Sequence, residues 1–113
     1  MPNCSRLDVV LVTYPFSDLS GAKVRPAIVV NAPFRSQDLL IVPLTSKVLR
    51  LLPGEFVLDD WLSEGLNIET AVKRGIYTIK DTLVLKRLGQ LSTDDASHLQ
   101  KSLLAWLGLR FSN

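Results

Sequence analysis

The chain has 113 residues and a net charge of +2, too small a charge to announce a nucleic-acid binder on its own. Hydrophobic residues make up 47% and charged residues 21%, which excludes a disordered tail or a low-complexity linker. The longest apolar runs, such as residues 39–44, fall far short of the roughly 20 residues of a membrane helix, and the single Cys4 excludes an internal disulfide framework.

These features predict one domain over residues 1–113 in a reducing, cytoplasmic setting. The opening Met-Pro-Asn-Cys-Ser-Arg has no basic segment followed by an apolar one, so nothing marks it for secretion. Charge is uneven: residues 1–50 hold six basic and three acidic side chains, residues 51–113 seven and eight, so the positive field gathers in the first half.

In chain order, the β-branched and apolar runs at 8–14, 27–31 and 39–44 read as buried strands bounded by Pro, Asn and Asp. The connection at 16–24 is long for a hairpin, and such loops are usually functional. Pro26 cannot donate to a ladder and is expected at a strand start or edge. Pro43 is expected to end pairing in the third strand, leaving Thr45 and Ser46 to project freely. Residues 47–52 read as a helical turn before Pro53-Gly54, and 55–58 as a short strand.

Asp59 is then expected to cap a brief helix at 61–64. Strands follow at 70–72 and 76–79, and residues 83–91 read as a helical turn with a strand at 87–91. The end is a helix: Ser92 and Asp95 form an S-x-x-D cap, Ala96, Leu99, Leu103 and Leu107 repeat at helical spacing, and Gly108 stops it. The sum is a mainly β (α+β) chain with short helices and one C-terminal amphipathic helix, fitting a small, partly open barrel.

Arg25 stands between the polar loop and an apolar strand, where its planar fork of donors suits phosphate oxygens; the Thr45 hydroxyl can donate to the same group. Read alone, Arg25 fits a surface ion pair with a carboxylate such as Asp18, and Thr45 fits a strand-end cap. The only histidine, His98, lies beside the apolar stripe of the last helix and is expected there as an exposed or helix-packing residue. Asp94 and Asp95 suit the helix dipole, and Trp61, Trp106 and Phe111 suit core or dimer packing. No metal-ligand cluster or phosphate-cradling glycine loop stands out, and no cofactor is implied.

Four segments together, Asp8-Val-Val-Leu-Val12, Pro15-Phe-Ser-Asp-Leu-Ser-Gly21, Lys23-Val-Arg-Pro-Ala-Ile-Val-Val30 and Val42-Pro-Leu-Thr-Ser46, closely resemble the PemK/MazF family of toxin endoribonucleases. The chain departs from the family pattern at Leu7, at Thr13 and over residues 73–77. The resemblance implies an SH3-like barrel of the CcdB/MazF type that forms a homodimer. It also implies a metal-independent, sequence-selective endoribonuclease acting on single-stranded RNA, most of all mRNA, as the toxin of a toxin–antitoxin pair. Its partner would be a small acidic antitoxin whose disordered tail folds on binding.

Carried over residue by residue, the resemblance makes Arg25 and Thr45 the catalytic pair. For RNA binding, Phe16 can stack on bases or plug the core, and Tyr14 is expected in core packing although its ring could also stack. Lys23 and Lys47 can reach phosphates, and Ser17, Asp18 and Ser46 can contact bases or the 2′-hydroxyl or make turn and cap hydrogen bonds. Two rival readings stay open at this point: a non-catalytic CcdB-like topoisomerase poison, and a barrel that binds RNA or peptide without turnover.

Overall fold

A computed structural model describes residues 4–14, 23–31 and 38–109. Strand β1 (Asp8–Tyr14) contributes Val9 to one core and Val10 and Val12 to another, all three fully buried. That follows from side chains alternating along a strand, with apolar residues on both faces. Strands β2 (Lys23–Val29), β3 (Asp38–Thr45), β4 (Phe56–Val57), β5 (Ala71–Val72), β6 (Tyr77–Lys80) and β7 (Val84–Gln90) complete an antiparallel sheet. Its order is β4-β5-β3-β2-β1-β7, with β6 also paired to β3. The path does not close, so the expected partly open barrel is what the chain forms, with helix α1 (Thr93–Leu107) at its C-terminal end.

Several expected boundaries move, each for a local reason. Strand β2 starts at Lys23, so Arg25 and Pro26 lie inside it. Pro26 faces Leu11 of β1, while the ladder from β2 to β3 covers only residues 27–29; the proline sits where β2 has one neighbour. Pro43 does not end β3. Pro43 lies opposite Ala27 and its carbonyl takes the Lys73 N–H at 2.9 Å, after which Leu44 and Thr45 pair with Val72 and Ala71. Thr45 is therefore a paired strand end, not a free one.

The helical turn expected at 47–52 is a run of bends, with Arg50 at φ 60°. Side chains take the donors a helix would use: Thr45 Oγ1 accepts from Lys47 N–H at 3.1 Å and Glu55 Oε1 from Leu52 N–H at 2.7 Å. The brief helix expected at 61–64 is a single turn, closed by Glu64 N–H on Asp60 O at 3.1 Å and ended by Gly65 at φ +93°. Instead of a strand from residue 87, a 3₁₀ turn occupies Asp81–Leu83 and β7 begins at Val84, because Val84, Lys86 and Arg87 find partners on β1, with a register shift at Leu85.

Helix α1 agrees with its sequence signals. Ser92 Oγ accepts from Asp95 N–H at 3.2 Å, and Gly108 closes the helix at φ 68°. Leu99 is buried, Ala96, Leu103, Trp61 and Trp106 pack against the same core, and Leu107 is exposed. Ser102 Oγ donates to Gly54 O at 2.7 Å and Trp106 Nε1 to Pro53 O at 3.0 Å, which fastens the helix to the segment before β4. Phe111 lies outside the described residues. No helix among the described residues is long and apolar enough to cross a membrane.

Asp95 does more than complement the helix dipole. It is buried, and its two oxygens accept the N–H groups of Asp59 and Asp60 at 3.0 and 3.1 Å. Glu64, only 1% exposed, accepts Ser92 N–H on Oε2 at 2.7 Å, while Oε1 has no hydrogen-bond partner as a carboxylate. Burial first, with the adjacent Asp95 adding to it and the Ser92 N–H opposing it, pushes the Glu64 carboxyl up to about 7. The fold thus gathers Asp60, Glu64 and Asp95, with oxygens within 4.8 Å of one another, from positions that showed no cluster in sequence.

The sign of the Glu64 effect is fixed. Between about pH 4.5 and 7 the folded chain keeps a proton that the unfolded chain releases, so stability falls as pH rises through that window. Thermal or urea unfolding across it is expected to lose on the order of 3 kcal/mol, and Glu64→Gln should flatten the profile. An unchanged slope in the variant would assign the pH dependence to another group.

Gly65 and Gly89 let two backbones touch: a Cβ at Gly65 would run into Leu88 O, and one at Gly89 into Glu64 O. Gly65→Ala is expected to cost about 2 kcal/mol or more, from strain at positive φ and displacement of β7. Urea denaturation measures it, and a cost under about 0.5 kcal/mol would contradict the contact.

Candidate active site

The register of the sheet builds a cleft. Leu11 lies opposite Pro26 on one side and Lys86 on the other, so Pro26, Leu11 and Lys86 form a row across β2, β1 and β7 on one face. The end of β3, with Leu44, Thr45 and Ser46, makes one wall, and the loop 65–68 with Thr70 makes the facing wall. The space between is about 360 Å³, and Arg25 lines it at the β2 rim.

Arg25 is exposed, and its guanidinium Nη1 donates to Val24 O at 3.3 Å. It has no ion pair among the described residues, so its charge is not spent on a carboxylate there. Thr45 Oγ1 accepts the Lys47 N–H, which orients the hydroxyl while its own proton stays available to donate. An arginine cation and an oriented hydroxyl therefore border one concave space. That pairing can bind a phosphate and stabilise negative charge developing on it.

Thr45 also borders a second cleft of about 310 Å³ with Lys47, Arg50 and Lys73. Glu55 braces it by accepting Leu52 N–H and, at 2.8 Å on Oε2, Arg74 N–H. The first cleft carries Arg25 and Lys86, and the second Lys47, Arg50 and Lys73, so both halves of the chain contribute cations.

Of the residues predicted from sequence, Arg25, Thr45 and Ser46 meet at the first cleft and Lys47 at the second. Lys23 is exposed at the start of β2, opposite Tyr14, and lines neither. Phe16, Ser17 and Asp18 lie outside the described residues. Tyr14 packs against the second core and its hydroxyl donates to Pro26 O at 3.4 Å. His98 is exposed on α1, its ring stacked on Phe56 at 3.6 Å between centroids. Sequence reasoning missed Asn67, Ile68, Thr70 and Lys86, which the fold brings to the cleft from the loop before β5 and from β7.

Burial first and Tyr77 next push the Tyr14 phenol up to about 12, against the opposing pull of Arg25. Tyr14 therefore stays neutral at physiological pH and serves as a hydrogen-bond donor, not a base.

The fold is an open, antiparallel β barrel with a C-terminal helix, and Arg25 and Thr45 border one cleft on its β2–β3 side. The family model for the PemK-like, MazF-like toxin of type II toxin–antitoxin systems matches residues 5–107, and the chain belongs to that family. A mycobacterial endoribonuclease in complex with its cognate antitoxin is similar to it, with a TM-score of 0.75, 20% identity and coverage of 99% of this chain and 100% of that one. The Mycobacterium tuberculosis toxin MazF-mt6 aligns with a TM-score of 0.73 and 18% identity over 92% of this chain and 99% of that one. MazF from Deinococcus radiodurans aligns with a TM-score of 0.76 and 17% identity over 96% and 100%. No curated protein matches the chain.

Ultraviolet titration of phenolate is expected to resolve one late ionisation near pH 12 that disappears in Tyr14→Phe. A variant that instead loses a transition near the ordinary value of about 10 would show Tyr14 to be accessible.

Proposed function

We propose that this chain is the toxin of a toxin–antitoxin pair and acts as a metal-independent, sequence-selective endoribonuclease on single-stranded RNA. The observation that carries the reading is Arg25, a cation with no described counter-ion, at the same cleft as the oriented Thr45 hydroxyl. The 2′-hydroxyl gives its proton to solvent as its oxygen attacks the adjacent phosphorus, a pentacoordinate phosphorane forms, and the P–O5′ bond breaks as the 5′-oxygen takes a proton from solvent. The products carry a 2′,3′-cyclic phosphate and a 5′-hydroxyl.

Arg25 stabilises the charge on the phosphorane oxygens. The planar, delocalised guanidinium, with its fork of donors, suits that role. Thr45 donates to a non-bridging oxygen and fixes the phosphate. Lys47 and Ser46 extend the contact along the strand of RNA, and Lys23 at the start of β2, with Phe16, Ser17 and Asp18 ahead of it in sequence, would add further contacts.

The chain works as a homodimer and is silenced in the cytoplasm by a small acidic antitoxin. The antitoxin's disordered tail would fold over the basic cleft bounded by Lys47, Arg50 and Lys73, with Leu49 and Leu52 exposed beside it for apolar anchoring.

The test is incubation with a long single-stranded RNA in EDTA, with the product ends mapped. Wild type should cleave, and Arg25→Ala and Thr45→Ala should each slow cleavage by about 10²–10³-fold. Cleavage that requires added magnesium, or that survives both substitutions, would overturn the mechanism. Binding without cleavage would favour a non-catalytic RNA-binding barrel, and toxicity retained without RNA cleavage a topoisomerase poison.

A further inference from the structure

We propose that Asn67 and Lys86 form a nucleotide subsite across the cleft from Arg25, in which Asn67 reads a base edge and Lys86 holds the neighbouring phosphate. The proposal rests on the RNA reading above and extends it to a wall that the sequence did not mark.

Lys86 stands in the row Pro26–Leu11–Lys86, two strand spacings from Pro26, or about 10 Å. That distance suits a phosphate next along the chain better than the one at Arg25. Asn67 faces the same space from the loop that Gly65 and Gly89 press against β7. Thr70 Oγ1 donates to Ile68 O at 2.7 Å and holds this loop in place.

Both polar groups are uncommitted. Asn67 and Lys86 are exposed, and neither side chain makes a hydrogen bond or ion pair among the described residues. Around them the surface is apolar: Leu11, Leu66 and Leu88 line the floor, and Ile68 beside Asn67 is 59% exposed. An apolar floor with one amide and one ammonium at its edge fits an unstacked nucleotide. The base lies on the leucines, and the amide offers a donor beside an acceptor to its edge, as in the pairing of asparagine with adenine. Lysine adds a charge without sequence preference.

The experiment uses a randomised single-stranded RNA pool, once with natural ribose for sequencing of cleavage ends, once with 2′-fluoro groups for binding without cleavage. Wild type should enrich one base, adenine foremost, at one position. Asn67→Ala should reduce that enrichment by roughly tenfold or more and leave the other positions alone. Lys86→Ala should weaken all sequences alike and lower the slope of log affinity against log salt by about 1.

An unchanged base profile in Asn67→Ala, or an unchanged salt slope in Lys86→Ala, overturns the subsite. Asn67-dependent binding without any cleavage leaves the subsite standing and removes the catalytic reading. Cleavage with a profile indifferent to Asn67 does the reverse, and a wild type that binds no RNA removes both.

Discussion

Strand β1 is the constraint on which the rest depends. It is apolar on both faces, so it must be covered on both, and its residues Val9, Val10 and Val12 divide two cores between them. Strands β2 and β7 pair on its two edges, and together they supply the floor of the cleft. A slip of one residue in the β1–β7 pairing would exchange the faces of β7 and take Lys86 out of the cleft. The hydrophobic pattern of β1 thus sets the position of the polar groups.

Much of this was legible. The apolar runs marked β1, β2 and β3, the cap signals marked both ends of α1, and Arg25 and Thr45 stood out by type and spacing. What escaped had non-local causes. Thr45 is paired because β5, far along the chain, arrives beside it, and no pattern within β3 announces that partner. The missing helix at 47–52 reflects Glu55 and Thr45 side chains taking backbone donors. Asp95 looked like an ordinary first-turn acid because its task, holding the N–H groups of Asp59 and Asp60, is visible only once the chain has folded back on itself.

The two electrostatic environments are opposite in character. Around the clefts, cations are exposed and unpaired among the described residues, which keeps them available at the cost of some mutual repulsion. Behind the loop, Glu64 is buried, and that burial raises its carboxyl to about 7, which favours the neutral form. Burial there costs less than it would for an ion, because a neutral carboxyl needs only hydrogen bonds. Asp8 takes the remaining option: it is buried yet anchored by Ser5 N–H at 2.8 Å and by the half-exposed Arg87 at 3.1 Å.

The contact between Gly65 and Leu88, and between Gly89 and Glu64, is made of main chain alone. A seam of that kind is indifferent to the side chains on either side of it. Positions 67, 68 and 86 can therefore be exchanged over evolutionary time while the walls keep their path, much as type is reset in a fixed frame. The two glycines carry the close approach of the backbones, and that fixed seam leaves their neighbours free to differ.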